Sequence, residues 1–459
     1  MPSTAQASST GPTTAHERAF PEHDRKVAAV AATVRDLVGR GEPVHIWKGG
    51  VHHVVPLPGD ARFKSRPVDV SALDQILEID PVGRTCTAEP GVTFAALVRA
   101  TLEHGLIPVV VPELEGITIG GAVAGCSVES MSYRYGGFHD GCLDYEIVSG
   151  AGEIVRCSRE VEPLLFGMIH GSYGTLGILT RLRFRLVPAA PFVRMEYQRF
   201  EDAGAFHAAM MERCAAADHD FVDGIVHGPR EWVMCLGRFV QSAPWVSSYR
   251  WLDIFYKSTR TRAEDYLSTA DYCFRYDTEC HWLTKTMPPL EWKPVRFALG
   301  KWVLGSTNLI KWSGRLSPLL GLKKRPDVVV DVFVPERRCV DFYRWYERDY
   351  GFWPLWVVPY KIPEPYPWVR PDHYEKGGGF YIDCAVYGKR NDDLAVDWSA
   401  VLEDKTFELG GVKTLISRNH YTRERFWQIY DQDHYRSAKA RLDPRGVFAD
   451  LYEKFHKVG

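Results

Sequence analysis

The chain has 459 residues and a mass of 52.1 kDa, too much for one small core, so two domains are the natural expectation. It is 45% hydrophobic and 25% charged with a formal net charge of −2, which gives no footing for nucleic acid as a partner. Its 10 cysteines form no Cys-x-x-Cys pair and no His/Cys cluster, which argues against a metal site or disulfide framework and for buried thiols in a reducing, cytoplasmic setting.

Residues 1–22 open on a small, polar, apolar-poor run and are expected to be a disordered tail. No apolar core follows a basic start, and no run nears the ~18 apolar residues of a membrane span, so any membrane contact is expected to be peripheral. Over residues 24–40, Val27, Val30, Val34 and Val38 recur at helical spacing, with Gly41 as the stop. A short strand at 45–47 leads into Lys48-Gly49-Gly50-Val51-His52-His53, bare backbone beside a cation. Short strands are expected at 68–70 and 85–89. Thr93 should then cap a helix ending near His104, with Gly105 beyond it. A buried strand at 107–111 runs into the most distinctive stretch.

That stretch is Thr118-Ile119-Gly120-Gly121-Ala122-Val123-Ala124-Gly125-Cys126-Ser127-Val128-Glu129-Ser130-Met131-Ser132. Its glycines let backbone approach a ligand, and its hydroxyls stand beside N–H groups, a nest suited to phosphate. It matches neither the Gly-x-Gly-x-x-Gly nor the Gly-Lys-Ser/Thr loop, and on its own it serves equally as a tight turn between strands. Further on, residues 143–149 and 153–157 make a hairpin through Gly150-Ala151-Gly152. Gly174-Thr175-Leu176-Gly177-Ile178 is another close-approach loop. In the strand at 179–188, Leu182, Phe184 and Leu186 alternate with Arg181, Arg183 and Arg185, one face buried and the other either a solvated surface or a grip for an anionic cofactor or partner.

Two glycine loops around a strand-and-helix segment resemble the FAD-binding domain of the vanillyl-alcohol-oxidase family, also called PCMH-type, in which both loops hold the FAD pyrophosphate. Thr118 to Gly121, Cys126 to Ser132 and Tyr135-Gly136 further resemble the delta(24)-sterol reductases, where the segment corresponding to 126–132 lies on the flavin. Phe352-Trp353-Pro354-Leu355-Trp356, Tyr381-Ile382-Asp383 and Tyr387-Gly388 are similar to segments of the same proteins. Asp443-Pro444-Arg445-Gly446-Val447-Phe448 resembles the C-terminal Asp-Pro-x-Gly-x-Phe signature. The likeness covers almost everything after residue 40. It implies an α+β fold: a two-subdomain PCMH-type FAD-binding domain at 23–190, an α+β substrate or cap domain at 191–400, and a segment at 401–459 packing back on the first domain. The cofactor-binding residues it implies are Lys48, Gly49, Gly50, His52, Thr118, Gly120, Gly121, Gly125, Cys126, Ser127, Val128, Glu129, Ser130, Met131, Ser132, Gly174, Gly177 and Ile178.

The activity implied is FAD-dependent reduction of a carbon–carbon double bond in a sterol-like, isoprenoid or fatty-acyl lipid, with NADPH as hydride donor, although no Rossmann fingerprint is visible. Such a cycle needs an acid to protonate one alkene carbon. His420 and Tyr421 on the returning segment are the first candidates, Glu113 and Glu129 the second pair. Each also has a plainer role, His420 and Tyr421 as a satisfied core network and Glu129 as partner to a neighbouring base. The alternative class is an oxidase of an alcohol or sugar using oxygen, because His52 falls where many oxidases of the family tether their flavin covalently. Residues 281–325 carry nine Lys/Arg against one acid, interleaved with Trp282, Trp292, Trp302 and Trp312. This segment suits an anionic membrane surface or an ordinary amphipathic cover.

Overall fold

The computed structural model describes residues 20–49, 64–309, 312 and 327–456, and the elements and counts that follow are of those residues. The architecture is α+β, two sheets with helices around them. The first helix spans Pro21–Gly39, with proline in its first turn, where a missing N–H costs nothing. Its Val27, Val30, Val34 and Val38 are buried against Val44, Val68, Val148, Ile178 and Val447. Helix therefore begins inside the segment expected to be tail; residues 1–19 lie outside the described residues.

Strands β1 (Val44–Trp47) and β2 (Arg66–Asp69) pair in parallel. Strands β3 (Ile76–Asp80), β4 (Thr85–Ala88), β5 (Leu106–Pro108), β6 (Cys142–Val148), β7 (Ile154–Ser158) and β8 (Ile178–Pro188) form the first domain's six-stranded sheet. Their order is β3-β4-β8-β6-β7, with β5 also on β8. The hairpin β6–β7 turns through Gly152 at φ +73°, which glycine adopts freely. On β8 the apolar residues are buried, while Arg183 pairs with Asp144 and Arg185 donates to the Asp140 carbonyl.

The chain changes sheets between Pro188 and Phe192. Strands β9 (Phe192–Phe200), β10 (Phe221–Gly228), β11 (Glu231–Val240), β12 (Glu264–Ser268), β13 (Val328–Pro335), β14 (Leu355–Lys361), β15 (Phe380–Lys389) and β16 (Val412–Lys413) make an antiparallel sheet ordered β12-β9-β11-β10-β14-β15-β13-β16. Strand alternation divides its side chains. Val330, Val332, Val334, Val357, Ile382 and Cys384 pack under helices Ala203–Ala216, Cys339–Trp345 and Trp398–Glu408. The opposite face packs on Tyr249, Phe255, Tyr272, Tyr276 and Trp282, and at its β13–β15 end it opens toward the first domain.

The helix Trp398–Glu408 and β16 belong to the second sheet, so the return to the first domain starts beyond Lys413 rather than at residue 401. From Leu415 onward Tyr421, Phe426, Ile429, Leu442 and Phe455 join the first core. The Asp-Pro-x-Gly-x-Phe run has a local reason. Asp443 accepts from the N–H groups of Val447 and Phe448, Gly446 takes φ +63°, and the Val447 carbonyl accepts from Val44 at the start of β1.

Candidate functional site

A cavity of about 750 Å³ lies between the two domains, in the upper part of the roughly 300–1,000 Å³ usual for small-molecule and cofactor sites. One side is backbone-rich, built from the glycine stretch, Lys48, the loop through Gly174 and Gly177, and the Val447–Ala449 turn. The other side is the open face of β13, β14 and β15, bearing Val329, Asp331, Phe333, Trp356, Asp383 and Tyr387, with Glu113, His281 and Leu283 beside it.

The glycine stretch is a short helix, Ile119–Ala124, rather than a turn between strands; Thr118 caps it by accepting from the Gly121 N–H. Two consecutive glycines disfavour helix. Tertiary fit holds it, because a Cβ on Gly120 would stand 2.5 Å from Pro90 Cβ. Gly120 thus lets the helix seat on the turn after β4, and Gly177 likewise clears Ile147 on β6. Gly121 is different. Its absent Cβ would meet Thr118 Oγ1 at 3.2 Å and Lys48 Nζ at 3.9 Å, so bare backbone and a cation share one corner of the cavity. Burial pulls the Lys48 ammonium below its ordinary pKa, and no acceptor among the described residues hydrogen bonds with it. A phosphate would meet that need, and the corner fits a dinucleotide cofactor. Replacing Gly121 with Leu should abolish FAD uptake, read as loss of flavin absorbance in the purified protein.

Of the expected cofactor residues, Lys48, Thr118, Gly120, Gly121, Gly125, Cys126, Ser127, Val128, Gly174, Gly177 and Ile178 line the cavity. Gly50 and His52 lie outside the described residues. Gly49 turns at φ +67° against Ser71 and is not in the lining. The run does not continue along the cavity past Val128. Ser132 Oγ accepts from the Glu129 N–H, Met131 enters the core of the second domain, and Ser130 bonds Glu129 and Tyr272. Glu129 is turned away to Arg275, whose Nη2 lies 2.6 Å from its Oε1 and 3.1 Å from Asp223 Oδ2. Burial raises the Glu129 pKa against the opposing charge of Arg275, but the side chain has no access to the cavity.

His420 and Tyr421 are likewise corrected as acids. The chain touches the cavity at Thr414 and Ile416, then leaves it. His420 Nδ1 is 2.8 Å from Glu403 Oε2 and its Nε2 is 3.5 Å from Asp397, while the Tyr421 hydroxyl donates to the Glu403 carbonyl. Both are engaged by the network that also holds Lys413 and Arg418, on the side of β13 and β16 away from the cavity. Of the four acid candidates, only Glu113 lines the cavity. Burial would raise its pKa, but His281, with Nε2 at 2.6 Å, holds it below the ordinary value.

The groups missed from sequence are the aspartates of the β-face. Asp331 sits in Val328-Val329-Val330-Asp331-Val332-Phe333-Val334 and Asp383 in Phe380-Tyr381-Ile382-Asp383-Cys384-Ala385-Val386. A carboxylate amid an apolar strand is itself a signal, because burying it unpaired is costly. Burial raises the Asp331 carboxyl to about 6, with the Tyr387 hydroxyl donating to it in opposition.

Residues 23–158 match the model of a family described as FAD binding domain. Across the whole chain the similarity is to delta(24)-sterol reductases. The human protein is 25% identical over 454 residues, spanning 95% of this chain and 87% of its own. That of Arabidopsis thaliana is 26% identical over 439 residues, spanning 86% and 77%. Cytokinin dehydrogenase 6 of Oryza sativa is 34% identical over 137 residues, 29% of this chain and 26% of its own. The domain and the glycine-lined cavity define an FAD-binding flavoprotein, an FAD-dependent oxidoreductase. Within that class it is a delta(24)-sterol reductase-like flavoprotein.

Proposed function

We propose that the chain reduces a carbon–carbon double bond in a hydrophobic lipid, sterol-like, isoprenoid or fatty-acyl, with NADPH as the source of hydride. The observation that carries this reading is the cavity wall facing the glycine side. Val329, Phe333, Trp356 and Leu283 present an apolar surface interrupted by a few carboxyl and hydroxyl groups, the pattern of a site that binds by burial and orients by few polar contacts. Bound FAD would supply two-electron chemistry at this site, and the protein would supply binding and orientation. Lys48, Gly121, Gly125 and Ser127 are the residues proposed to hold its phosphates and ring system. The apolar wall would hold the alkene and exclude water from it.

The deciding experiment is anaerobic reduction of the bound flavin by NADPH, followed by reoxidation with a panel of lipid alkenes or with oxygen. Faster reoxidation by an alkene than by oxygen supports the reading. Preference for oxygen, with colour retained in the acid-precipitated pellet and lost in His52→Ala, puts the oxidase in its place.

We also propose a peripheral contact with anionic bilayers through the helix Lys293–Val303, which passes close to Leu283 and His281 in sequence. Arg296 is buried, its guanidinium donating to the Trp251 carbonyl, so it anchors the helix rather than facing lipid. Trp292, Phe297 and Trp302 are 60%, 65% and 73% exposed. Burying one large apolar side chain contributes about 1.5–3 kcal/mol, so Phe297→Ala with Trp302→Ala should weaken vesicle binding at least ~10-fold in co-sedimentation. Among the described residues no helix is long and apolar enough to cross a membrane.

A further inference from the structure

The strand β15 places one carboxyl in the cavity wall with nothing to satisfy it. Asp383 is 1% exposed, and among the described residues neither of its oxygens has a hydrogen-bond partner. Its position is fixed by register: it lies opposite Phe333 on β13 and Val358 on β14, both on the face that turns to the cavity. Asp331, two residues along β13 from Phe333, shares that face and accepts from the Tyr387 hydroxyl. Glu113 and His281 complete the polar surround. An ionised carboxylate there would be desolvated, unpaired and flanked by two other carboxyl groups, a costly arrangement. A neutral carboxylic acid costs far less and has a proton to give. Burial raises the Asp383 pKa well above the usual carboxylate range, and the charges of Asp331 and Glu113 push the same way.

We propose that Asp383 is the catalytic acid of this site, delivering its carboxyl proton to the second carbon of the substrate double bond. The proposal rests on the alkene-reductase reading. In the step, the carbon–carbon π bond breaks. A hydride, from flavin reduced by a reduced nicotinamide, forms a C–H bond at one carbon. The Asp383 O–H bond breaks as its proton forms the C–H bond at the other. The alkene gains two electrons and two hydrogens, and Asp383 is left as carboxylate, which takes a proton from solvent before the next turnover. Glu113 and Asp331 serve a different purpose. Their negative charge makes that carboxylate the less stable form, so the proton returns before the next substrate is reduced.

The first test needs no substrate. Infrared difference spectra of wild-type protein against Asp383→Asn, at a pH well above the value of about 6 to which Asp331 is raised, should show the carbonyl stretch of a protonated carboxylic acid that shifts in heavy water. The band should persist in Asp331→Asn. Comparison of wild-type protein grown with and without carboxyl-labelled aspartate gives the same reading if Asp383→Asn does not fold. The second test times the half-reactions. Asp383→Asn should slow alkene-driven reoxidation ~10²–10⁴-fold, the range for a positioned acid, and leave flavin reduction by NADPH within about twofold. Absence of the band, or an alkene half-reaction as fast in the variant as in the wild type, overturns the assignment. If the wild-type flavin passes electrons to oxygen and to no alkene, the reductase reading falls and the assignment with it. That outcome is distinguishable because the wild type fails before any variant is made.

Discussion

Arg275→Met should cost about 3–5 kcal/mol of folding stability, the usual penalty for removing one partner from a buried ion pair. Arg275 is fully buried. Its guanidinium joins Glu129, at the end of the glycine stretch, to Asp223 on β10 of the second sheet, and lies 4.2 Å from the centre of the Tyr272 ring and 4.7 Å from that of Tyr276. Trp356 adds a hydrogen bond of 2.8 Å from Nε1 to Asp223. Without the guanidinium, two carboxyl groups face each other away from water. The triple variant Arg275→Met, Glu129→Gln, Asp223→Asn should recover most of the loss, because the unpaired charges leave together. Arg275→Lys should recover little, since an ammonium reproduces neither the fork nor the stacking between the two tyrosines. Chemical denaturation of the FAD-free proteins measures this without a contribution from ligand binding. A single variant as stable as wild type would mean that the cluster is hydrated in solution.

The link from this cluster to the cofactor site is short. Glu129 follows Val128 directly, and Val128, Ser127 and Cys126 line the cavity. Cys126 itself takes φ +55°, an uncommon conformation for a residue with a Cβ, held by its N–H to the Val123 carbonyl and by the Ser127 N–H to Ala122. Anchoring Glu129 therefore fixes the exit of the loop, and Arg275→Met should weaken FAD affinity as well as folding.

Local patterns carried much of the architecture. The valines of the first helix, Thr93 as a cap, the β6–β7 hairpin and the alternation on β8 are all set by neighbours within a few residues, and each is found where period and capping place it. Strand β3 was missed because Ile76-Leu77-Glu78-Ile79-Asp80 is short and half-buried throughout, with no clean alternation. At Gly120 and Gly121 the local signal spoke against helix, and only contact with Pro90, thirty residues back in the chain, settles the conformation. The candidate acids failed for a related reason. His420 and Tyr421 have the right chemistry on a segment that does pass the cavity, but side-chain direction on an irregular segment is decided by partners such as Glu403. Regular strands are more informative: given that β15 faces the cavity at Tyr387, period two puts Asp383 there as well.

The triad at the base of the first helix should give the protein a pH dependence of stability with two limbs. His23 is buried with Nδ1 2.9 Å from Glu89, the residue after β4, and Nε2 3.0 Å from Glu146 on β6, tying the helix to the sheet. Burial alone would lower the imidazole pKa. The hydrogen bonds and charges of Glu146 and Glu89 outweigh it and raise the value from 6.5 to about 9. Burial would raise Glu146, but the hydrogen bond from His23, the charge of Arg181 and further contacts bring it from 4.5 down to about 2. The signs follow from which state binds the proton more tightly. The His23 contribution is complete below its unfolded value of 6.5 and is lost as pH rises through about 9. The Glu146 contribution is complete above 4.5 and is lost as pH falls through about 2. The cluster therefore stabilises most between 4.5 and 6.5. His23→Gln keeps a donor amide but cannot carry charge. It should unfold at lower denaturant between those values, by an amount worth about 3–5 kcal/mol, and its stability should change little across the 6.5-to-9 interval in which the wild type declines. Denaturation midpoints of both proteins at pH values spanning that interval make the comparison. Parallel declines would show that another group sets the alkaline limb, and equal midpoints near neutrality would show that the imidazole contributes nothing to holding the first helix against the sheet.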